Sequence, residues 1–381
     1  SFTPSGFGCA RLATLAFAPP HPEGVKLEGR KTNYRNRFTP AFRALRAKCL
    51  ELATGKTRWT TDVFTRFGIS SAHRKNSLAS PTPIVADGRL YVHFGHLGTA
   101  CLDLEGKIIW RNNSFDFPSK HGNGGSPVLV GNALIFNCDG RADPFVVALD
   151  KTTGQTLWKT PRTTTARRKY SFSTPLVYTS DGQQRIITPG SGVAMVLNPA
   201  TGEELWRVRY DEGFSVVPRP VFGHGMLFVC TGDDTPPTIL AIRTKGRGDV
   251  TESHIVWHTD RSAPVTPSLL LVGDELYSVS DVGIVRCLDA RTGQEHWQER
   301  IGAGVSASPV FADGKIYIQD ERGLGVVLRP GKQFQKIAEN PLGERTLASY
   351  CVTDGALIIR TEANLYCIRE QPQGSGPAAA K

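Results

Sequence analysis

Residues 148–158 read ALDKTTGQTLW, and the same arrangement returns as CLELATGKTRW at 49–59, VLNPATGEELW at 196–206 and CLDARTGQEHW at 287–297. An Asp or Asn ahead of a turn hydrogen-bonds the backbone in front of it, and Gly supplies the positive φ that closes a tight hairpin. A Trp on the outgoing strand covers a large apolar area while its N–H seeks an acceptor. Each copy therefore reads as one strand, a tight turn and a second strand whose indole fastens that sheet to the next.

All six tryptophans, Trp59, Trp110, Trp158, Trp206, Trp257 and Trp297, fall on this pattern, with gaps of 51, 48, 48, 51 and 40 residues, and Phe334 takes the following slot. Upstream of each comes a short apolar run opened by a dipeptide such as Ser126-Pro127, Thr174-Pro175, Arg219-Pro220 or Ser308-Pro309. A turn and strand such as DGRLYV (87–92) or DGKIYI (313–318) follows. Four short alternating strands repeating every 40 to 50 residues predict the blades of an all-β propeller. No window shows sustained helical periodicity.

Full four-strand units are expected at 80–112, 126–160, 173–208, 218–259, 267–301 and 308–338. Residues 347–370 supply three more strands, and 49–62 supply a lone third-and-fourth pair. Three regions follow: a basic, poorly ordered leader at 1–48, the propeller at 49–370 and a disordered tail at 371–381.

The pattern Ala148-x-Asp150-x-x-Thr153-Gly154-x-x-x-Trp158 resembles the tryptophan-docking repeat of PQQ-like, quinoprotein-type propellers. Stretches such as KNSLASPTP, HGNGGSPVLV and LGERTLAS resemble the PQQ-binding-like propeller proteins of planctomycete-type bacteria. The resemblance implies eight blades closed by an N-terminal strand, here with an incomplete first blade. The alternative is that 49–62 pairs with 347–370 and shuts a seven-blade ring. It also implies a periplasmic, cell-envelope or secreted protein. More distantly the chain resembles the propeller lipoprotein of the outer-membrane assembly machinery, although Cys9 follows Gly6-Phe7-Gly8 rather than a leucine-rich lipobox.

The net charge of +10 is concentrated: residues 1–60 hold 11 Lys/Arg against Glu23, Glu28 and Glu51, so 11 − 3 = +8 sits there and +2 elsewhere. No helix-turn-helix, finger spacing or aromatic RNA platform accompanies it, so nucleic acid is not the expected partner. No apolar run is long enough for a transmembrane helix. Residues 9–20, CARLATLAFAPP, carry Ala16 and Ala18 at signal-cleavage spacing but lack a charged start. The eight cysteines form no CxxC or CxxCH motif. Cys49, Cys101, Cys287 and Cys367 recur at one strand position and read as small buried hydrophobes.

In a propeller, the loop leading into each inner strand and the turn between the second and third strands share the channel mouth, the expected site for a protein or small-molecule ligand. The inbound loops bring His73, Arg74, Lys75, Asn76, His121, Asn123, Lys169, Tyr170, Arg219 and Arg345. The facing turns bring His96, Asp139, Arg141, Asp143, Asp233, Asp234, Asp281, Asp320 and Glu362. Adjacent blades are expected to bring His96 beside His121, with turn hydrogen bonding favoured over a metal for these and for His93. Asp139 and Asp143 flank Arg141 in DGRAD, where turn stabilisation is favoured over cation binding. Arg219, beside Pro220, is the expected anchor for an anion or carboxylate.

A quinone dehydrogenase, which the resemblance brings into view, needs PQQ over the channel, a calcium with oxygen ligands and a carboxylate base. Family enzymes commonly cover the quinone with a disulfide between neighbouring cysteines. This sequence has no Cys-Cys pair and no Gly-x-Ser-x-Gly elbow. The expectation is a monomeric, non-catalytic binding scaffold of the cell envelope. A PQQ- and calcium-dependent alcohol or sugar dehydrogenase is the rival, and an outer-membrane assembly factor-like propeller the further alternative.

Overall fold

The computed structural model describes residues 11–16, 42–67, 72–140, 143–210, 212–233, 235–353 and 355–369. The chain is all-β and forms a propeller of four-stranded antiparallel blades, spanning 84–112, 128–161, 176–209, 221–259, 270–300 and 310–341. The remaining arc holds two three-stranded sheets. One is made of Arg11–Ala16, Phe42–Glu51 and Thr57–Phe67, the other of Cys351–Thr353, Ala356–Arg360 and Leu365–Arg369. They line a common cleft without sharing a ladder among the described residues, so 49–62 does not pair with 347–370. The first ladder already starts at Phe42↔Phe67, upstream of the expected boundary at Cys49. Residues 1–10, 17–41 and 370–381 lie outside the described residues. Among the described residues no helix is long and apolar enough to cross a membrane.

The opening motif explains how each hairpin closes. Asp150 Oδ1 accepts the N–H groups of Thr152 (2.8 Å) and Thr153 (2.9 Å), and Gly154 takes φ 74°. A bulge between Ala148 and Leu149 then sets Trp158 opposite Ala148. The indole of one blade lies against the turn glycine of the next. A Cβ on Gly154 would stand 2.5 Å from Trp110, on Gly202 2.6 Å from Trp158, and on Gly106 and Gly293 2.7 Å from Trp59 and Trp257. Only glycine permits both the φ and the contact.

Five indole N–H groups donate to that same turn: Trp59 to Leu104 O (2.9 Å), then Trp110 to Lys151 O, Trp158 to Pro199 O, Trp257 to Ala290 O and Trp297 to Gly331 O, each at 3.0 Å. Trp206 departs from the pattern. Its neighbour replaces the Thr-Gly turn with a longer excursion, in which Gly248–Asp249 adds a parallel fifth strand against Trp206 and Arg207. Trp206 is fully buried and its Nε1 has no partner. Phe334 does not take the docking slot. Ala338 holds the tryptophan register opposite Val327, while Phe334 packs back on Trp297 with ring centroids 5.2 Å apart.

The hydrophobic core accordingly sits between sheets rather than at the ring's centre. One cluster joins Leu45, Val63 and Phe64 of the first sheet to Leu90, Val92 and Leu102 of the next, and another joins Phe136 and Leu149 to Tyr91 and Trp110. Each fully buried Leu, Phe or Val in such a seam is worth about 1.5–3 kcal/mol, so the ring is stabilised junction by junction. That leaves the loops at the channel mouth to carry polar groups.

Candidate functional site

Hydroxyls at the start of the innermost strands stitch blades together around the channel. Thr82 N donates to Ser126 Oγ (2.8 Å) and Ser126 N to Thr174 Oγ1 (2.9 Å). Arg219 N donates to Ser268 Oγ (2.9 Å), Ser268 N to Ser308 Oγ (3.0 Å) and Ser308 N to Ser349 Oγ (2.8 Å). The Ser/Thr-Pro dipeptides that mark strand starts are therefore acceptors for the preceding blade. Arg219 occupies the position where the other blades have a hydroxyl. The residue is exposed and forms no ion pair among the described residues, while partial desolvation pulls its pKa below the usual value.

Lys75, an expected mouth residue, meets a carboxylate that the sequence reading did not select. Lys75 Nζ lies 2.6 Å from Glu321 Oε1, and Ser306 Oγ donates to the same oxygen at 2.6 Å. Burial opposes the charge of Glu321, but Lys75 and Ser306 outweigh it and hold the carboxyl below its usual range. Arg345 reaches Glu362 at 3.9 Å and donates to Arg74 O at 3.4 Å. Since 74–75 and 321–345 come from opposite ends of the repeat region, these contacts close the mouth.

A second group gathers around Phe214. His121 lies 5.8 Å from its ring, Tyr170 6.1 Å and the Arg168 guanidinium 4.2 Å. His73 stacks edge-on to His121 at 5.5 Å, and His73 N and Asn76 Nδ2 both donate to His121 O at 3.0 Å. The contact partner of His121 is thus His73, not the expected His96. His96 sits on the 3-10 turn Gly95–Leu97, 6.3 Å from Phe117, and burial lowers its pKa. Lys169 pairs with Asp143 at 3.2 Å, and Asp233 exchanges backbone hydrogen bonds with Phe214. Arg141 and Asp234 lie outside the described residues.

The third group is a buried polar pocket that sequence reasoning missed. Asp139 does not stabilise its own turn. Its Oδ1 accepts Arg162 Nε at 2.9 Å with both side chains shut off from solvent. Arg162 also donates to Thr188 O (2.5 Å) and Asn137 Oδ1 (3.0 Å). Burial pushes Asp139 up to about 6 against the pull of Arg162. Nearby, His93 Nδ1 lies 2.8 Å from Thr99 Oγ1, and burial drives its pKa down to about 3. Asn123 donates to Leu78 O (3.1 Å) and Phe94 O (2.6 Å), leaving its Oδ1 without a partner.

The donor chemistry does not fit a calcium-and-quinone site. Calcium takes six to eight oxygens, several from carboxylates. Asp139 faces Arg162, and Asp281 Oδ2 accepts Val265 N (2.7 Å) and Thr266 N (3.2 Å). Asp320 Oδ1 accepts Arg322 N (2.9 Å) and Leu324 N (2.8 Å), and Glu321 is held by Lys75. Among the described residues no three His, Cys, Asp or Glu side chains converge as metal ligands do.

Comparison with known proteins fits this architecture. The family described as outer membrane protein assembly factor BamB matches at 43–170, 142–271 and 247–340. The chain belongs to that family. It is 23% identical over 322 residues to the outer membrane protein assembly factor BamB of Yersinia pestis, covering 79% of this chain and 75% of that one. It is also 22% identical over 271 residues to the tetrathionate hydrolase of Acidithiobacillus ferrooxidans, covering 61% of this chain and 50% of that one, so it spans half that enzyme's length. Among solved structures, the quinohemoprotein alcohol dehydrogenase of Comamonas testosteroni matches with a TM-score of 0.62 at 12% identity, over 84% of this chain and 69% of that one. At that identity the likeness concerns the propeller fold alone, and membership of the PQQ-like repeat family rests on the family match.

Proposed function

We infer that this chain is a non-catalytic propeller scaffold of the cell envelope that holds a protein partner at its channel mouth. One observation carries the reading: His73, His121, Tyr170 and Arg168, from the inbound loops of successive blades, gather over the buried ring of Phe214 and present an aromatic and cationic rim to solvent. The rings are fixed by packing, whereas Arg74, Lys120, Arg167 and Arg168 around them are exposed. Rigid aromatic rings beside guanidinium groups are the combination that dominates protein interfaces. The cations select an acidic docking segment. Membership of a family described as an assembly factor, and the engagement of the mouth's acids with fixed internal partners, support the same conclusion.

The test is capture of envelope proteins by the wild-type chain and by an Arg74→Glu/Arg168→Glu variant. Specific partners retained by the wild type should be lost, with a salt-sensitive association rate, while the thermal melt falls by no more than the loss of the Arg168–Phe214 contact explains. Retention of every partner by the variant rejects the mouth as the docking face. The rival is addressed directly by titrating with PQQ plus calcium. Tryptophan fluorescence and melting temperature should not move, and a saturable shift with dye-linked alcohol oxidation would overturn the scaffold reading.

A further inference from the structure

Ser119, Asn123, Asn137, Asp139, Ser171 and Ser173 line one small cavity of about 20 Å³ at the channel mouth. They come from the loop ahead of Val128–Val130, from the end of the strand Ala133–Cys138 and from the loop ahead of Leu176–Ser180. A space of that size takes a single water-sized particle. Three polar atoms of its wall are buried without a partner: Ser119 Oγ, Asn123 Oδ1 and Asp139 Oδ2. Asn123 and Asp139 are only 3% and 4% exposed. The Asn123 oxygen stands directly against Gly95 (φ 57°), where a Cβ would come within 2.1 Å, so only glycine lets the amide stand there.

The hydrogen bonds of the wall show what it offers. Asn123 Nδ2 donates to Leu78 O and Phe94 O, and Asn137 Nδ2 to Ser173 O (2.9 Å). Ser171 Oγ donates to Val216 O (3.1 Å) and Ser173 Oγ to Pro218 O (2.8 Å). Arg162 holds only the other carboxylate oxygen, Asp139 Oδ1, and spends its remaining donors on Thr188 O and Asn137 Oδ1. His93, also on the wall, is kept neutral by burial. Apart from the Ser119 hydroxyl, these side chains bring oxygen lone pairs to the cavity, one of them on a carboxylate. A water molecule would add two lone pairs of its own to a wall whose side-chain donors are engaged elsewhere. A cation accepts lone pairs alone and removes the cost of a buried anionic oxygen without a partner.

We propose that this cavity binds one monovalent cation of the size of K⁺ or NH₄⁺, held by Asp139 Oδ2, Asn123 Oδ1 and Ser119 Oγ, with the Ser171 and Ser173 hydroxyl oxygens beside them. A divalent ion calls for several carboxylates, whereas this wall has one, already shared with Arg162. Neutral amide and hydroxyl oxygens are the groups that replace the hydration shell of a monovalent ion. Bound there, the cation ties the inbound loops of two successive blades to the end of the strand between them. The site is the chemical opposite of the cationic rim around Phe214 and does not rest on the scaffold function proposed above.

The test melts the full chain in KCl, NaCl and NH₄Cl against choline chloride, a cation too large to enter, at equal ionic strength. The small cations should raise the melting temperature saturably, by about 2 °C at tenfold excess over half-saturation. A rise with K⁺ assigns the site to an inorganic ion, and a rise with NH₄⁺ alone to the head group of an amine. Asp139→Asn should abolish this ion-specific increment, whatever the loss of the Arg162 pair does to the melt in choline. Ser119→Ala leaves that pair intact and should raise the half-saturating concentration at least threefold. Crystals grown in RbCl should show an anomalous peak between Asp139 and Asn123. Equal melts in all four salts, with an ordered water in the cavity, overturn the proposal, as does an increment that survives Asp139→Asn. A rubidium peak without any melting response means an adventitious ion only and overturns it too.

Discussion

Asp139 and Asp281 stand just past the second strand of their blades, at the same mouth of the ring, and they face opposite environments. Asp281 is half-exposed and ties down a neighbouring loop through Val265 N and Thr266 N. Asp139 is sealed from solvent against Arg162. What separates them is the residue that follows the fourth strand. After Thr156–Pro161 the chain turns inward through Arg162, and the guanidinium fills the space that solvent and loop backbone fill beside Asp281. A position in the repeat fixes where a carboxylate stands; its neighbours decide whether it is a loop clamp or a buried ion.

The largest effect expected from this contrast comes from breaking the buried pair. Arg162→Met leaves the carboxyl of Asp139 buried without a counter-ion and should cost about 3–5 kcal/mol, read as a shift of the urea midpoint. Adding Asp139→Leu to that variant should recover a large part, because an apolar pair avoids the desolvation of both ions. A loss near 1 kcal/mol for Arg162→Met would make Asp139 no different from Asp281, and the contrast would fail.

This pair also marks the limit of what the sequence discloses. The blades were legible because Asp150, Gly154 and Trp158 perform local tasks whose spacing repeats, and the structure shows each performing its task. The strained φ and the indole seat both demand particular residues. Arg162 has no such signature: it is one Arg after a strand, and only the fold reveals that Asp139 and Asn137 lie within its reach. His73 and His121 stand one 48-residue repeat apart (121 − 73), so periodicity places them on neighbouring inbound loops, but only the fold shows that their rings touch. Trp206 reads as one more docking residue because its own strand fits the motif. The difference lies in the next blade, where the turn is replaced by an added strand.

A smaller effect concerns pH. Unfolded His93 takes a proton near pH 6.5 and the folded residue only near 3, so between these values the unfolded chain binds more protons and stability falls on acidification, by at most ~1.4 kcal/mol per pH unit. Asp139 acts with the opposite sign. Its carboxyl titrates near 6 when folded and near 3.8 when unfolded, so between about 4 and 6 the folded chain holds the extra proton and stability falls as pH rises. The two slopes offset each other in the wild type from about pH 4 to 6. His93→Gln removes one of them while His96 and the depressed carboxylates titrate alike in both chains, so the wild-type-minus-variant difference in urea midpoint should fall as the pH drops from 6 to 4. A wild-type-minus-variant difference that is constant with pH would mean that His93 is not held neutral by burial.

The smallest effect belongs to Asp281. Replacing it with Ala deprives two backbone N–H groups of their acceptor, but the site is half-exposed and water takes the vacated place. The net loss should be about 1 kcal/mol, the usual value for a hydrogen bond exchanged with solvent. Asp281→Asn keeps an acceptor oxygen and should be closer to the wild type. The ratio between this loss and that of Arg162→Met is the sharper measurement, since both variants disturb one carboxylate site at the same mouth of the same ring. A several-fold ratio means that burial, not position in the repeat, sets the worth of a mouth acid. If Asp281→Ala instead costs as much as Arg162→Met, the loop it clamps folds together with the whole ring, and the mouth on that side is as rigid as the pocket around Asp139.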